Sequence, residues 1–158
     1  MSPVGDSQAN GEIYRAIRTV QGQVRTMKSA FEANFGLEFA ENHPIIPWMI
    51  SYASSLINKF RIDTDGKTAH ERCRGRKFNR IVPQFGERIM YRKFQNKKER
   101  RKLEAQWESG VYRGVNESSQ ELIVGTPLGA IKTQYFRQKG SHAERWTPEE
   151  VSSFKGLP

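Results

Sequence analysis

The chain has one cysteine, Cys73, in 158 residues, which excludes an internal disulfide framework and any zinc knuckle or finger built on cysteine pairs. It also lacks a long apolar run. The most apolar stretch, Pro44 to Ile57, is interrupted by Pro47 and is too short to cross a bilayer. The N-terminus is polar, without the charged and apolar regions of a signal peptide. Neither secretion nor a membrane segment is expected, and the reducing interior of a cell is the expected compartment. Apolar residues are scarce, at 36% with a mean hydropathy of -0.74. Nine Phe, five Tyr and three Trp nevertheless argue for a folded core.

What the chain does have is positive charge, and most of it in one place. The net charge is +9; between Arg61 and Glu104 stand 15 Lys/Arg against 6 Asp/Glu, while the remainder carries 11 of each. A basic block of this kind is the footprint of a polyanion binder, because each phosphate neutralised releases condensed counterions. The candidate contacts are Arg72, Arg74, Arg76, Lys77, Arg80, Arg88, Arg92 and Lys93, with Lys97, Lys98, Arg100, Arg101 and Lys102 adding a longer-range contribution. Phosphate contacts position a protein without reading sequence, so affinity with little sequence preference is expected, for DNA or another nucleic acid. The run from Lys97 to Lys102 has no apolar neighbours and reads equally as a polyanion contact or as a solvated basic loop, since such runs are commonly linkers or localisation signals.

Three regions follow along the chain. In the first, a polar loop ends at Asn10-Gly11, and Ile13, Ile17, Val20, Val24, Met27 and Phe31 then recur at helical spacing up to Gly36. A second helix after Pro44 or Pro47 carries Trp48, Met49, Tyr52, Ala53, Leu56, Ile57 and Phe60. Both apolar faces need a partner surface, and if they find none in this chain they are candidates for homo-oligomer contacts. The second region, Asp63 to Arg80, contains Gly66-Lys67-Thr68, and Thr68 with Glu71 three residues on has the spacing of a capping box. The third begins at Phe85 and alternates: 85–92, Trp107 to Val115, Glu121 to Val124 and Ala130 to Phe136 read as four short strands of a small barrel. Beyond Gly140 the reading is a polar tail.

Two motifs fail on spacing. A phosphate-binding loop needs a glycine five residues before Gly66, where Arg61 stands. Asp63 and Asp65 lack the further ligands of a calcium loop and read as a turn. His70 and Cys73 have no second ligand pair nearby for a metal.

Several of these pieces resemble the integrase region of copia-type retrotransposon Pol polyproteins. Asn10-Gly11 before a helix resembles the third catalytic block, in which a metal-binding Glu-Arg follows; here those positions are Tyr14-Arg15. A protonated phenol is a poor ligand for Mg²⁺, and Glu12 is roughly 200° around the helix from Tyr14. Gly66-Lys67-Thr68, Glu71 and Gly75-Arg76 are similar to the signature after the core, with Ala69-His70 in place of the usual Pro-Tyr. Gly86-Glu87, Trp107, Gly110 and Tyr112 resemble the strands of the C-terminal Src-homology-3-like domain. The resemblance implies an α+β chain: C-terminal helices of a ribonuclease-H-like catalytic core over 1–62, a basic connector with a short helix over 63–82, a small β-barrel over 83–140 and the tail over 141–158. It also implies a nuclear, DNA-associated protein. An intact member uses Mg²⁺ held by three carboxylates; none of those positions is filled here, so neither catalytic residues nor a metal or cofactor are expected. Two alternatives stay open: a fragment assisting a complete integrase in trans, and a basic module binding a chromatin component or another protein.

Overall fold

The computed structural model describes residues 7–93, 103–149 and 158. They form α1 (Ser7–Phe35), α2 (Ile45–Phe60), a short α3 (Ala69–Arg74), strands β1 (Arg88–Arg92), β2 (Trp107–Val115), β3 (Leu122–Thr126), β4 (Gly129–Thr133) and β5 (Phe136–Gln138), and a single-turn α4 (His142–Arg145). The strands make one antiparallel sheet in the order β4-β3-β2-β1-β5. The class is therefore α+β.

The expected loop at Asn10-Gly11 is instead part of α1, which starts at Ser7. A glycine inside a helix costs about 1 kcal/mol relative to alanine, too little to stop a helix of 29 residues whose later turns are held by tertiary packing. The apolar stripe of α1 is used unevenly. Phe31 and Phe35 are buried and Val24 and Met27 pack against them, whereas Ile13 and Ile17 are 57% and 46% exposed. Length explains this: α1 spans roughly 43 Å and the 16-residue α2 only roughly 24 Å. The first turns of α1 therefore outrun the surface they could pack on.

Pro44 caps α2 and Pro47 sits in its first turn, where no intrahelical N–H bond is forfeited. Ile45, Trp48, Met49, Tyr52 and Ala53 are buried, while Phe60 at the end is half exposed. The surface these residues meet is the five-stranded sheet. Tyr52 stacks on Phe85 with ring centroids 5.4 Å apart and meets Tyr112 edge-on at 5.7 Å, and Phe31 lies 6.2 Å from Phe85. One buried cluster thus draws on both helices, on Ile89, Tyr91, Val111, Tyr112, Leu122 and Val124 of the sheet, and on Trp146. It crosses the expected boundary near residue 83. Each such side chain taken fully out of water contributes about 1.5–3 kcal/mol.

The run Ala130 to Phe136, expected as one strand, is two. The chain turns at Gln134 and Tyr135, and β5 leaves the β4 edge to pair with β1 on the far side of the sheet, Met90 opposite Arg137. Alternating residues on either side of a turn look like one strand, because period two carries no information about which neighbour is paired. Residues 141–149 also do more than a polar tail would. Ser141 and Glu144 form a complete capping box for α4, and Trp146 is buried edge-on against Phe35 at 5.5 Å. Arg145 reaches 3.8 Å from the buried carboxylate of Glu87, which also accepts from Gln84 N at 2.9 Å.

Gly86 joins α1 to this sheet. Its φ is +80°, and a Cβ there would lie 2.2 Å from Phe31 Cε2. Gly86→Ala therefore meets both backbone strain and a clash, and should destabilise the protein by about 1–3 kcal/mol. Gly11→Ala, in open space on a helix, should stabilise it by about 0.5–1 kcal/mol. Urea melts of the two variants check this; a neutral or destabilising Gly11→Ala would return that segment to a loop.

Candidate nucleic-acid interface

The basic block begins after α2. Ile62 and Thr68 form an isolated antiparallel bridge around a turn in which Gly66 N donates to Asp63 O and Asp63 N donates to Lys67 O. Thr68 Oγ1 accepts from Glu71 N at 3.1 Å and starts α3. Half of the expected capping box is formed, since Glu71 Oε2 has no hydrogen-bond partner. The helix stops at Gly75 in the left-handed region, and the chain continues without regular structure through residue 80. Phe78 fixes that segment: its ring meets Phe60 edge-on at 5.6 Å and His70 at 5.5 Å, and Lys59 Nζ lies 5.3 Å from its centroid. With Phe78 turned inward, Arg76 and Lys77 are exposed.

The candidate cations separate into two groups. Arg72 is a clamp on the preceding turn: Nε and Nη2 donate to Asp65 at 2.9 and 2.7 Å, and Nη2 also reaches Asp63 at 3.0 Å. Its charge is offset by two carboxylates. The hydrogen bond from Arg72 holds the Asp65 carboxyl down to about 2. Asp63 is lowered as well, by the Thr64 amide and then by Arg72. Lys93 pairs with Glu108, which also accepts from Tyr91 Oη at 2.7 Å. The Glu108 carboxyl is held low by Lys93 and then Tyr91; burial, and then Glu108, push the Tyr91 phenol up to about 12. Arg88 lies half-buried on β1 near Glu144 of α4, whose carboxyl is held low first by its bonds with Ser141 and only to a lesser degree by the charges of Lys139 and Arg88.

The second group keeps its charge. Arg74 Nη2 donates to Glu117 O at 2.6 Å, and Arg80 donates to Gln120 O at 2.6 Å and to Gln134 O. These partners are neutral carbonyls, so both guanidinia are held in place without being neutralised. Among the described residues, Arg76 and Lys77 form no ion pair. Together with His70 and Gln120 these four cations line a cavity of about 270 Å³. Arg92 makes one long bond, 3.5 Å, to Gln106. Lys97, Lys98, Arg100, Arg101 and Lys102 lie outside the described residues.

Sequence reading missed the buried cations. Lys59 is 4% exposed and donates to Ser55 Oγ at 2.5 Å and Glu117 Oε1 at 2.8 Å. Burial alone would raise the Glu117 carboxyl, but the bonds from Lys59 and Ser55 leave it below its usual value. This ion pair ties α2 to the turn after β2, beside the cavity. Arg113 is 5% exposed, 5.1 Å from the Trp48 ring, and burial lowers its guanidinium. A lone Lys in a helix and an Arg in a strand give no sequence signal of burial, because Glu117 and Trp48, which meet them, are more than 50 residues away.

Tyr14, at the position of the family glutamate, is 65% exposed on the outlying part of α1. The donors present do not fit a magnesium site: Glu12 and Tyr14 point to different sides of the helix, and among the described residues no three His, Cys, Asp or Glu converge on one point. No described helix is long and apolar enough to cross a membrane. Compared with known proteins, the chain matches no protein-family model, and no curated protein or solved structure is significantly similar to it.

The Arg72 clamp has a pH signature. Asp65 ionises near 2 in the folded chain against about 3.9 unfolded. Its contribution is therefore fully present above about pH 4 and is lost as pH falls toward 2. Asp65→Asn should lower the melting temperature slightly at pH 7 and flatten its fall between pH 4 and 2. Scanning calorimetry across that window checks it; parallel curves for the two proteins would remove the clamp.

Proposed function

We propose that this chain is a DNA-binding piece of a copia-type retrotransposon integrase, without catalytic activity of its own. One observation carries the binding: four cations that are not offset by carboxylates, Arg74, Arg76, Lys77 and Arg80, gather around one cavity on a chain of net charge +9. A duplex backbone presents phosphates every few ångströms, and cations held on neutral carbonyls meet them without first breaking an ion pair. Strand order supports the rest of the reading. A three-strand meander, β2-β3-β4, flanked by β1 and a short β5 that returns to pair with β1, is compatible with a small Src-homology-3-like barrel. On this reading α1 and α2 are the helices that in an integrase cover a ribonuclease-H-like sheet, here packed on the small sheet instead, and the protein works in the nucleus.

Activity is a separate matter from binding. Two-metal strand transfer needs carboxylates that hold both ions against the attacking and leaving oxygens, and Tyr14 and Glu12 cannot supply them. Pure protein should give no Mg²⁺- or Mn²⁺-dependent joining of a labelled oligonucleotide, and Tyr14→Glu should not change that. Joining by either protein would overturn the inactive assignment.

Binding should follow salt. If the four cavity cations each meet a phosphate, the slope of log K against log salt on duplex DNA should be about -3 to -4, from about 0.9 per phosphate. Arg76→Ala with Lys77→Ala should remove about two units of that slope while leaving the melting temperature unchanged. Arg72→Ala should leave the slope alone. Fluorescence anisotropy titrations from low to moderate salt measure all three, and a salt-insensitive affinity would sink the reading.

A further inference from the structure

The outer face of the sheet carries a second arrangement. Ile89 and Tyr91 of β1 are buried, so Met90 and Arg92 point the other way. Residues directly opposite on neighbouring strands share a face. Arg92 is opposite Trp107, and Met90 is opposite both Ser109 and Arg137. These five positions bring together two guanidinium groups, an indole, a thioether and a hydroxyl, with no carboxylate among them. Glu108 belongs to the other face, opposite Tyr91, and is held there by Tyr91 and Lys93. The Arg137 guanidinium lies 4.3 Å from the Trp107 ring. Tyr135, whose carbonyl accepts from Arg92 N, adds a ring that is 59% exposed. Trp48 and Trp146 are 6% and 7% exposed and belong to the core; Trp107 does not.

We propose that this face is a stacking platform for single-stranded DNA, in which one base joins the Trp107 and Arg137 stack and Arg92 takes an adjacent phosphate. The proposal rests on the DNA-binding reading and adds to it a second site, on a different surface from the Arg76 and Lys77 cavity, with a different ligand. Planarity selects the single strand. A flat guanidinium on an indole has a free plane on which an unpaired base stacks, whereas a duplex keeps its base faces inside. The positive edge of the platform matches the phosphates that accompany each base. Among the five facing positions none is free to select a ribose 2′-hydroxyl by a hydroxyl contact, since the Ser109 hydroxyl donates to Met90 Sδ at 3.2 Å.

The test uses the full chain with oligo(dT), oligo(U) and a DNA duplex of equal length. Oligo(dT) should quench tryptophan emission, and the quenched component should vanish in Trp107→Phe, which retains an aromatic face and most of the affinity. Trp107→Leu should weaken oligo(dT) about tenfold, the loss of one stacked base, while its duplex affinity and melting temperature hold. Arg137→Gln should weaken oligo(dT) in the same direction. Unquenched emission together with unchanged oligo(dT) affinity in Trp107→Leu would overturn the platform, and tighter binding of oligo(U) than of oligo(dT) would overturn its assignment to DNA. If the duplex still binds through Arg76 and Lys77 in that case, the DNA-binding reading stands without the platform. If neither nucleic acid binds, both readings fall.

Discussion

The Phe31 ring lies against the backbone at Gly86, and much of the molecule's geometry hangs on that contact. Phe31 sits near the end of α1 and Gly86 just before β1, so their meeting sets the helix across the sheet at its first strand. Phe35 and Phe39 then gather beside Phe31, at 4.5 and 5.0 Å, and Trp146 closes the cluster from the chain's other end. A side chain at Gly86 would lift the ring away and open the gap between helix and strand. Once α1 and the sheet are fixed, α2 has one slot, with Tyr52 between Phe85 and Tyr112. The direction in which α2 ends decides where the basic connector starts.

From that point electrostatics and packing share the same residues. Phe78 and the ion pair of buried Lys59 with the half-exposed Glu117 hold the connector against α2 and the turn after β2, while Arg74 and Arg80 pin it to backbone carbonyls on two loops. The Arg72 clamp works upstream of this, shaping the turn from which α3 emerges. Four arginines within nine residues thus have three different roles. Identity and spacing cannot separate them, because the partners that decide each role are carboxylates or carbonyls contributed by other segments.

That is also the limit of what was legible beforehand. The α1 and α2 stripes, the turn at Asp63 and Asp65, the Thr68 cap and the first three strands follow from local rules, and local rules sufficed. The continuation of α1 through Gly11 was not legible, because a weak propensity penalty was overruled by the rest of the helix. Strand β5 was hidden because alternation does not report pairing. The same ignorance of register hid the Trp107, Arg92 and Arg137 cluster, three residues spread over 46 positions of sequence that only strand pairing brings side by side. Trp146 was hidden because a single aromatic in a polar segment has no periodic neighbours to announce burial.

The distinction between offset and unoffset cations changes what the basic block means. Counted by sequence, the surplus of nine charges from Arg61 to Glu104 treats every Lys and Arg alike. In the fold, Arg72 and Lys93 are already discharged by carboxylates, and a phosphate would have to displace those partners to use them. Arg74 and Arg80 differ, because a carbonyl fixes a guanidinium without cancelling its charge, and a guanidinium has five N–H donors of which these bonds use one or two. Their remaining donors stay available to an anion at the cavity. Salt therefore acts on this surface selectively: it screens the field of the cavity cations, yet leaves the carbonyl bonds that shape the cavity largely untouched, since those partners carry no net charge. The connector keeps its form at ionic strengths that screen its charges, and on the proposed DNA-binding reading release of the ligand would not require the site to unfold.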